Sequence, residues 1–119
     1  MTAEDAIKLL LTRFPSSLEH SVPRDAFFEL APPYHAYECF AAEIKSRAID
    51  CAFLTQAAEF INESAESGDG MLDEAVHIGT LESVASDRAA AKAISQFLKG
   101  RAKDKLARIE REMYGREPS

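Results

Sequence analysis

The chain has no apolar run of membrane-spanning length. Its longest mainly apolar uncharged stretch, 51–58, contains Thr55 and Gln56 and runs into Glu59. It opens Met1-Thr2-Ala3-Glu4-Asp5, acidic where a secretory signal is basic, and no apolar segment with a cleavage site follows. These absences predict a cytoplasmic protein that does not enter a membrane. Cysteine is scarce: Cys39 and Cys51 are the only two, with no CxxC pair, so they read as buried reduced thiols that behave as small hydrophobes. Strand signals are also missing, because no run alternates apolar and polar residues and β-branched residues are few.

Catalytic and cofactor motifs are equally absent. A nucleophile needs a strained turn with a base beside it, and there is no GxSxG. A phosphate loop needs clustered glycines, and here they fall singly except in Gly68-Asp69-Gly70. His20, His35 and His77 are too far apart for two metal ligands on one helix face. The segment 62–73 echoes a calcium loop, with Asn62, Ser64 and Glu66 at alternate positions. Ser67 stands where that loop requires glycine, and Asp73 where it requires a bidentate glutamate. No catalytic residue, cofactor or metal ligand is therefore assigned, and the chain reads as a non-enzyme.

What is present is helical periodicity. With 119 residues, 46% of them hydrophobic and 29% charged, the chain suits one globular domain over 1–119. Thr2 and Asp5 form a capping-box pattern before Ile7, Leu10, Leu11 and Phe14, predicting a helix over 3–14. Pro15 ends it. Ser16 with Glu19 suggests a short turn before Pro23, and 24–30 a further short helix. After Pro32-Pro33, Tyr37, Phe40, Ala41, Ile44 and Ala48 mark one helix face. Asp50 is an N-cap for Phe53, Leu54, Ala57, Phe60 and Ile61, the strongest helical pattern in the chain. Beyond the 67–70 turn, Leu72, Ala75, Ile78, Leu81 and Ala85 mark a helix over 71–85. Ser86 or Asp87 caps the next, with Ala90, Ile94, Phe97 and Leu98 inward and Gly100 closing it. Ala102, Leu106, Ile109 and Met113 mark the last. The fold class is all-α, with five to seven helices in a compact antiparallel bundle or a short stack of helical hairpins.

Charge is distributed unevenly. Residues 1–86 hold 15 acidic and 5 basic side chains, and residues 87–119 hold 5 acidic and 9 basic ones, giving net charges of -10 and +4. An anionic body repels nucleic acid and steers a cationic protein toward it. The acidic residues around the turn, Glu59, Glu63, Glu66, Asp69, Asp73 and Glu74, are the candidate partner-binding set. The alternative is that these acids are only solvated helix faces. The cationic C-terminal helices could brace the anionic body; they mix signs and interleave no aromatic side chains, which disfavours nucleic-acid binding. A second functional class is a small enzyme or ligand-binding protein with a pocket between helices near Tyr34, His77 and Glu82. There His77, beside the apolar stripe of Ile78 and Leu81, reads either as a half-buried structural histidine or as a base.

The run Phe60-Ile61-Asn62-Glu63-Ser64-Ala65-Glu66-Ser67-Gly68-Asp69, followed by Val76-His77-Ile78-Gly79-Thr80-Leu81-Glu82-Ser83, resembles a motif pair in a family of small bacterial all-helical domains. Some members of that family resemble immunity proteins encoded beside polymorphic toxins. The resemblance covers the middle third of the chain and carries no defined functional residues. It implies a helical fold and an immunity-type function, the binding and neutralising of a cationic toxin.

Overall fold

The computed structural model describes residues 2–15 and 32–118. The short turn and helix expected between Ser16 and Leu30, and His20 with them, lie outside these residues. Six helices are described: α1 (Ala3–Arg13), α2 (Pro32–Ser46), α3 (Cys51–Ala65), α4 over 70–85, α5 (Arg88–Ser95) and α6 (Gly100–Tyr114). No strand occurs among the described residues.

The helix starts follow from side-chain acceptors at positions the sequence marks. Thr2 Oγ1 accepts the Asp5 N–H at 3.1 Å and Asp5 Oδ2 accepts the Thr2 N–H at 3.4 Å, completing the capping box of α1. Asp50 Oδ1 accepts the Phe53 N–H at 3.0 Å to start α3, and Asp87 Oδ1 accepts the Ala90 N–H at 3.1 Å to start α5. Gly115 adopts a left-handed conformation, φ 57°, that stops α6.

α2 and α3 run antiparallel across the core, since Tyr37 meets Ser64, Phe40 meets Phe60, and the Arg47 guanidinium lies 4.0 Å from the Phe53 ring centroid. Phe14, just past α1, closes the aromatic cluster. Its ring lies 4.8 Å from that of Phe40 and edge-on to Phe53 and Phe60 at 5.7 and 6.0 Å. Such tilted and edge-on contacts suit the ring quadrupoles and add to the burial of large apolar area. α4 runs through the middle of the molecule and touches every other helix. α2 is fixed to it by a hydrogen bond from the buried Thr80 hydroxyl to the Tyr37 carbonyl at 2.9 Å.

α4 departs from the expected periodicity. Residues Ala75–Leu81 are π-helical, with α-helical turns at Gly70–Glu74 and Glu82–Ala85. The wider π turn, closed by i→i+5 hydrogen bonds, keeps residues four apart in line. Leu72, Val76, Thr80 and Val84 therefore all face inward. Ile78, expected in the core, is turned outward and is 44% exposed. Met113, expected on the inner face of α6, is likewise exposed near the end of its helix. The cysteine reading is corrected in half: Cys39 is buried, whereas Cys51 sits exposed in the first turn of α3, and both are free thiols. Burial raises the pKa of Cys39, with the neighbouring Glu38 carboxylate adding to the effect.

The C-terminus is folded back onto the bundle. Arg116 donates from Nε to Glu110 Oε2 at 2.9 Å and from Nη2 to the Ala85 carbonyl at 2.7 Å. With Lys105 beside Asp73 and Arg116 beside Ala85, α6 runs parallel to α4, and α5 is the crossover between them. No helix of the described residues is long and apolar enough to cross a membrane.

Candidate partner-binding face

The six acidic residues singled out from the sequence lie along one ribbon: the outer face of α3, the 66–69 turn and the start of α4. α3 can display them because its other face is bound into the core through Phe53, Leu54, Ala57, Phe60 and Ile61. Glu59 and Glu63 stand one turn apart, as residues at i and i+4 do on an α-helix. Both are exposed.

Within the ribbon the six carboxylates do different things. Glu59 enters no ion pair or hydrogen bond among the described residues. Glu63 lies 3.4 Å from Nη1 of Arg13, an ion pair in which both side chains keep about half their exposure. Such a pair is screened by water and weak. Glu66 projects to the start of α6, where Oε1 accepts the Arg101 N–H at 3.0 Å. Asp69 is the N-cap of α4, accepting the Leu72 N–H at 2.9 Å through Oδ1. Asp73 is held by α6, with Lys105 Nζ 3.1 Å from Oδ2 and the Arg101 guanidinium 3.5 Å from Oδ1. Glu74 is exposed on α4.

The partners of these acids escaped sequence reasoning, with one exception that was available. Asp69, three residues before the first buried side chain of α4 and directly after Gly68, is an N-cap pattern of the same kind as Asp50. Arg101, Lys105 and Asn62 carry no comparable local signal, because their roles depend on how α3 and α6 meet. Asn62 spans that junction, donating from Nδ2 to the Phe97 carbonyl at 3.3 Å and accepting the Lys99 N–H through Oδ1 at 2.9 Å. Gly100 sits beneath Glu66 with φ 55°, and a Cβ there would lie 2.9 Å from Glu66 Oε1. Gly100 therefore begins α6, in place of the expected role of closing α5.

An open cleft of about 340 Å³ lies between the turn and α6, lined by Glu66, Asp69, Asp73 and Arg101 together with Ala65, Gly68 and Gly70. Asp69 is engaged there by a backbone N–H and Asp73 by cations of this chain.

Of the three residues named for the alternative pocket, His77 and Glu82 are brought together. The π turn places the Glu82 N–H on the His77 carbonyl and the two side chains 3.6 Å apart, from Nε2 to Oε2. His77 Nδ1 is buried with no hydrogen-bond partner among the described residues. The ring is thus half-buried beside the Glu82 carboxylate across the wide turn, without the side-chain hydrogen bond that a structural histidine would make among the described residues. Tyr34 falls in the first turn of α2.

No protein-family model, no curated protein and no solved structure matches this chain.

Proposed function

We propose that this chain is a non-catalytic protein-interaction module of the immunity type, which binds and neutralises a cationic protein partner, most concretely a basic toxin, in the bacterial cytoplasm. The observation that supports the reading is the row of outward carboxylates on α3. Glu59 has no partner among the described residues and Glu63 only a half-exposed one, and both stand on a helix whose other face is locked into the core. A rigid display of like charge loses little side-chain and backbone freedom on binding, which favours affinity, and its field raises the association rate of a partner of opposite sign. The net charge of -10 over residues 1–86 extends that field beyond the contact itself.

Glu66, Asp69 and Asp73 each serve the fold, which supports a contact centred on Glu59 and Glu63. Neutralisation then works by occlusion, the partner's basic side chains being taken up by carboxylates in place of their own substrate or target.

The test is co-purification from the native host with the tagged chain and with a Glu59→Lys/Glu63→Lys variant. The expected result is a strongly basic protein retained by the native chain and lost from the variant, which keeps its melting temperature. Retention of no basic protein, or equal retention by both chains, overturns the reading.

A further inference from the structure

The C-terminal third of the molecule presents a surface of opposite sign, most of whose charges enter no ion pair among the described residues. Of the nine basic side chains after Ser86, Arg101 and Lys105 pair with Asp73 and Arg116 pairs with Glu110. The other six, Arg88, Lys92, Lys99, Lys103, Arg108 and Arg111, are exposed and enter no ion pair among the described residues. Asp104 and Glu112 stand one turn to either side of Arg108, yet neither comes within ion-pair distance of it.

We propose that the outer face of α6 is a second docking surface, and that its occupant is an acidic segment of another protein whose carboxylates are taken by Arg108 and Arg111. Arg101, Lys105 and Arg108 fall at i, i+4 and i+7 along the helix and line an open cleft of about 400 Å³ with Asp73 and Asp104. One end of the cleft already displays the chemistry: the Asp73 carboxylate sits between Lys105 Nζ and the Arg101 guanidinium, at 3.1 and 3.5 Å. Arg108 stands one turn further along the same cleft and enters no ion pair among the described residues. Guanidinium groups suit that role because their planar fork takes a carboxylate by two parallel hydrogen bonds.

The pattern favours a protein over a nucleic acid. Asp104 and Glu112 interrupt the stripe with negative charge, which repels a uniformly charged phosphate backbone but is accommodated by carboxylates spaced along a peptide. Tyr114, at the end of the helix, is its only aromatic side chain, so there is no series of rings on which bases could stack. The surface shares no residue with Glu59 and Glu63, so its reading stands or falls separately from that of the α3 face.

The experiment is fluorescence anisotropy of a labelled peptide of alternating glutamate and glycine titrated with the full chain at about 50 mM salt, where surface charges are weakly screened. The expected result is saturable binding that weakens about tenfold or more in Arg108→Glu/Arg111→Glu. That variant should keep its melting temperature, and Glu59→Lys/Glu63→Lys should bind the peptide no less tightly. Absence of saturable binding, or equal binding by the arginine variant, overturns the proposal. Tighter binding of a single-stranded DNA hexamer overturns it in favour of nucleic acid. Self-association of the native chain that the arginine variant abolishes overturns it in favour of a second copy.

Discussion

Glu66 and Arg101 meet through the backbone: the Glu66 carboxylate accepts the Arg101 N–H at 3.0 Å, so a side chain from the turn after α3 serves as the missing cap of α6. Lys99, the residue in the N-cap position, supplies no side-chain acceptor of its own. Glu66→Ala should therefore destabilise the protein by about 1 kcal/mol, as the loss of a helix cap does. In a chain of this size that lowers the melting temperature by about 4 °C. Thermal denaturation by circular dichroism checks this, and a melting temperature equal to the native one contradicts the capping role. For the same reason a loss of binding in a Glu66 variant says less about the partner surface than the same loss at Glu59.

Arg116 reaches back from beyond α6 to two acceptors, and one of them, Glu110, is 1% exposed. A buried carboxylate deprived of its cation keeps its desolvation cost without the compensating attraction. Arg116→Ala should lower stability by about 2 kcal/mol, the range for hydrogen bonds to charged groups. Glu110→Gln in the same background should restore part of that loss, because an amide is less costly to bury. Urea denaturation of the three chains measures both effects.

The π-helical stretch makes opposite forecasts for neighbouring positions. Val76 is fully buried and Ile78 is not. Val76→Asn should cost about 2 kcal/mol or more through a polar group in the core, whereas Ile78→Asn should stay within about 0.5 kcal/mol. If Ile78→Asn is the costlier change, the wide turn at Ala75–Leu81 is not the solution geometry.

Much of this molecule is legible in its sequence because the signals are local. Thr2, Asp50 and Asp87 announce their helices, and the aromatic spacing of Phe40, Phe53 and Phe60 anticipates the α2–α3 core. At Ile78 the inner face of α4 departs from regular helical spacing because the turn there is wider, and nothing in the sequence of Ala75–Leu81 marks that widening. The acidic ribbon was legible as a ribbon but not in its uses. Whether a carboxylate is outward or engaged depends on α6 returning alongside α4, a contact made by residues more than thirty positions away. The cationic C-terminal helices do brace the anionic body, as their charge suggested, but through Arg101 and Lys105 alone among the six basic residues of 99–111.

Asp50 supplies a pH-dependent element. Its hydrogen bond from the Phe53 N–H, and then its contact with Arg47, hold the carboxyl below its ordinary pKa. A group with a lowered folded pKa stabilises the fold above the ordinary carboxylate range, and that stabilisation is lost as pH falls through the lowered value. Asp50→Ala should therefore melt below the native chain at neutral pH. The gap should close as the solution is taken from about pH 4 to about pH 2. A gap that persists at the acid end contradicts the assignment of Asp50 as a charged cap.

The central claim is that exposed carboxylates on α3 recruit a basic protein partner. Its most direct test is the association rate constant with the co-purified partner, measured by stopped flow over a range of ionic strength. The predicted result is a rate that falls steeply with added salt in the native chain, and that is about tenfold or more lower at low salt in Glu59→Lys/Glu63→Lys, with dissociation less affected. A rate indifferent to salt, or unchanged in the charge-reversed chain, contradicts the account.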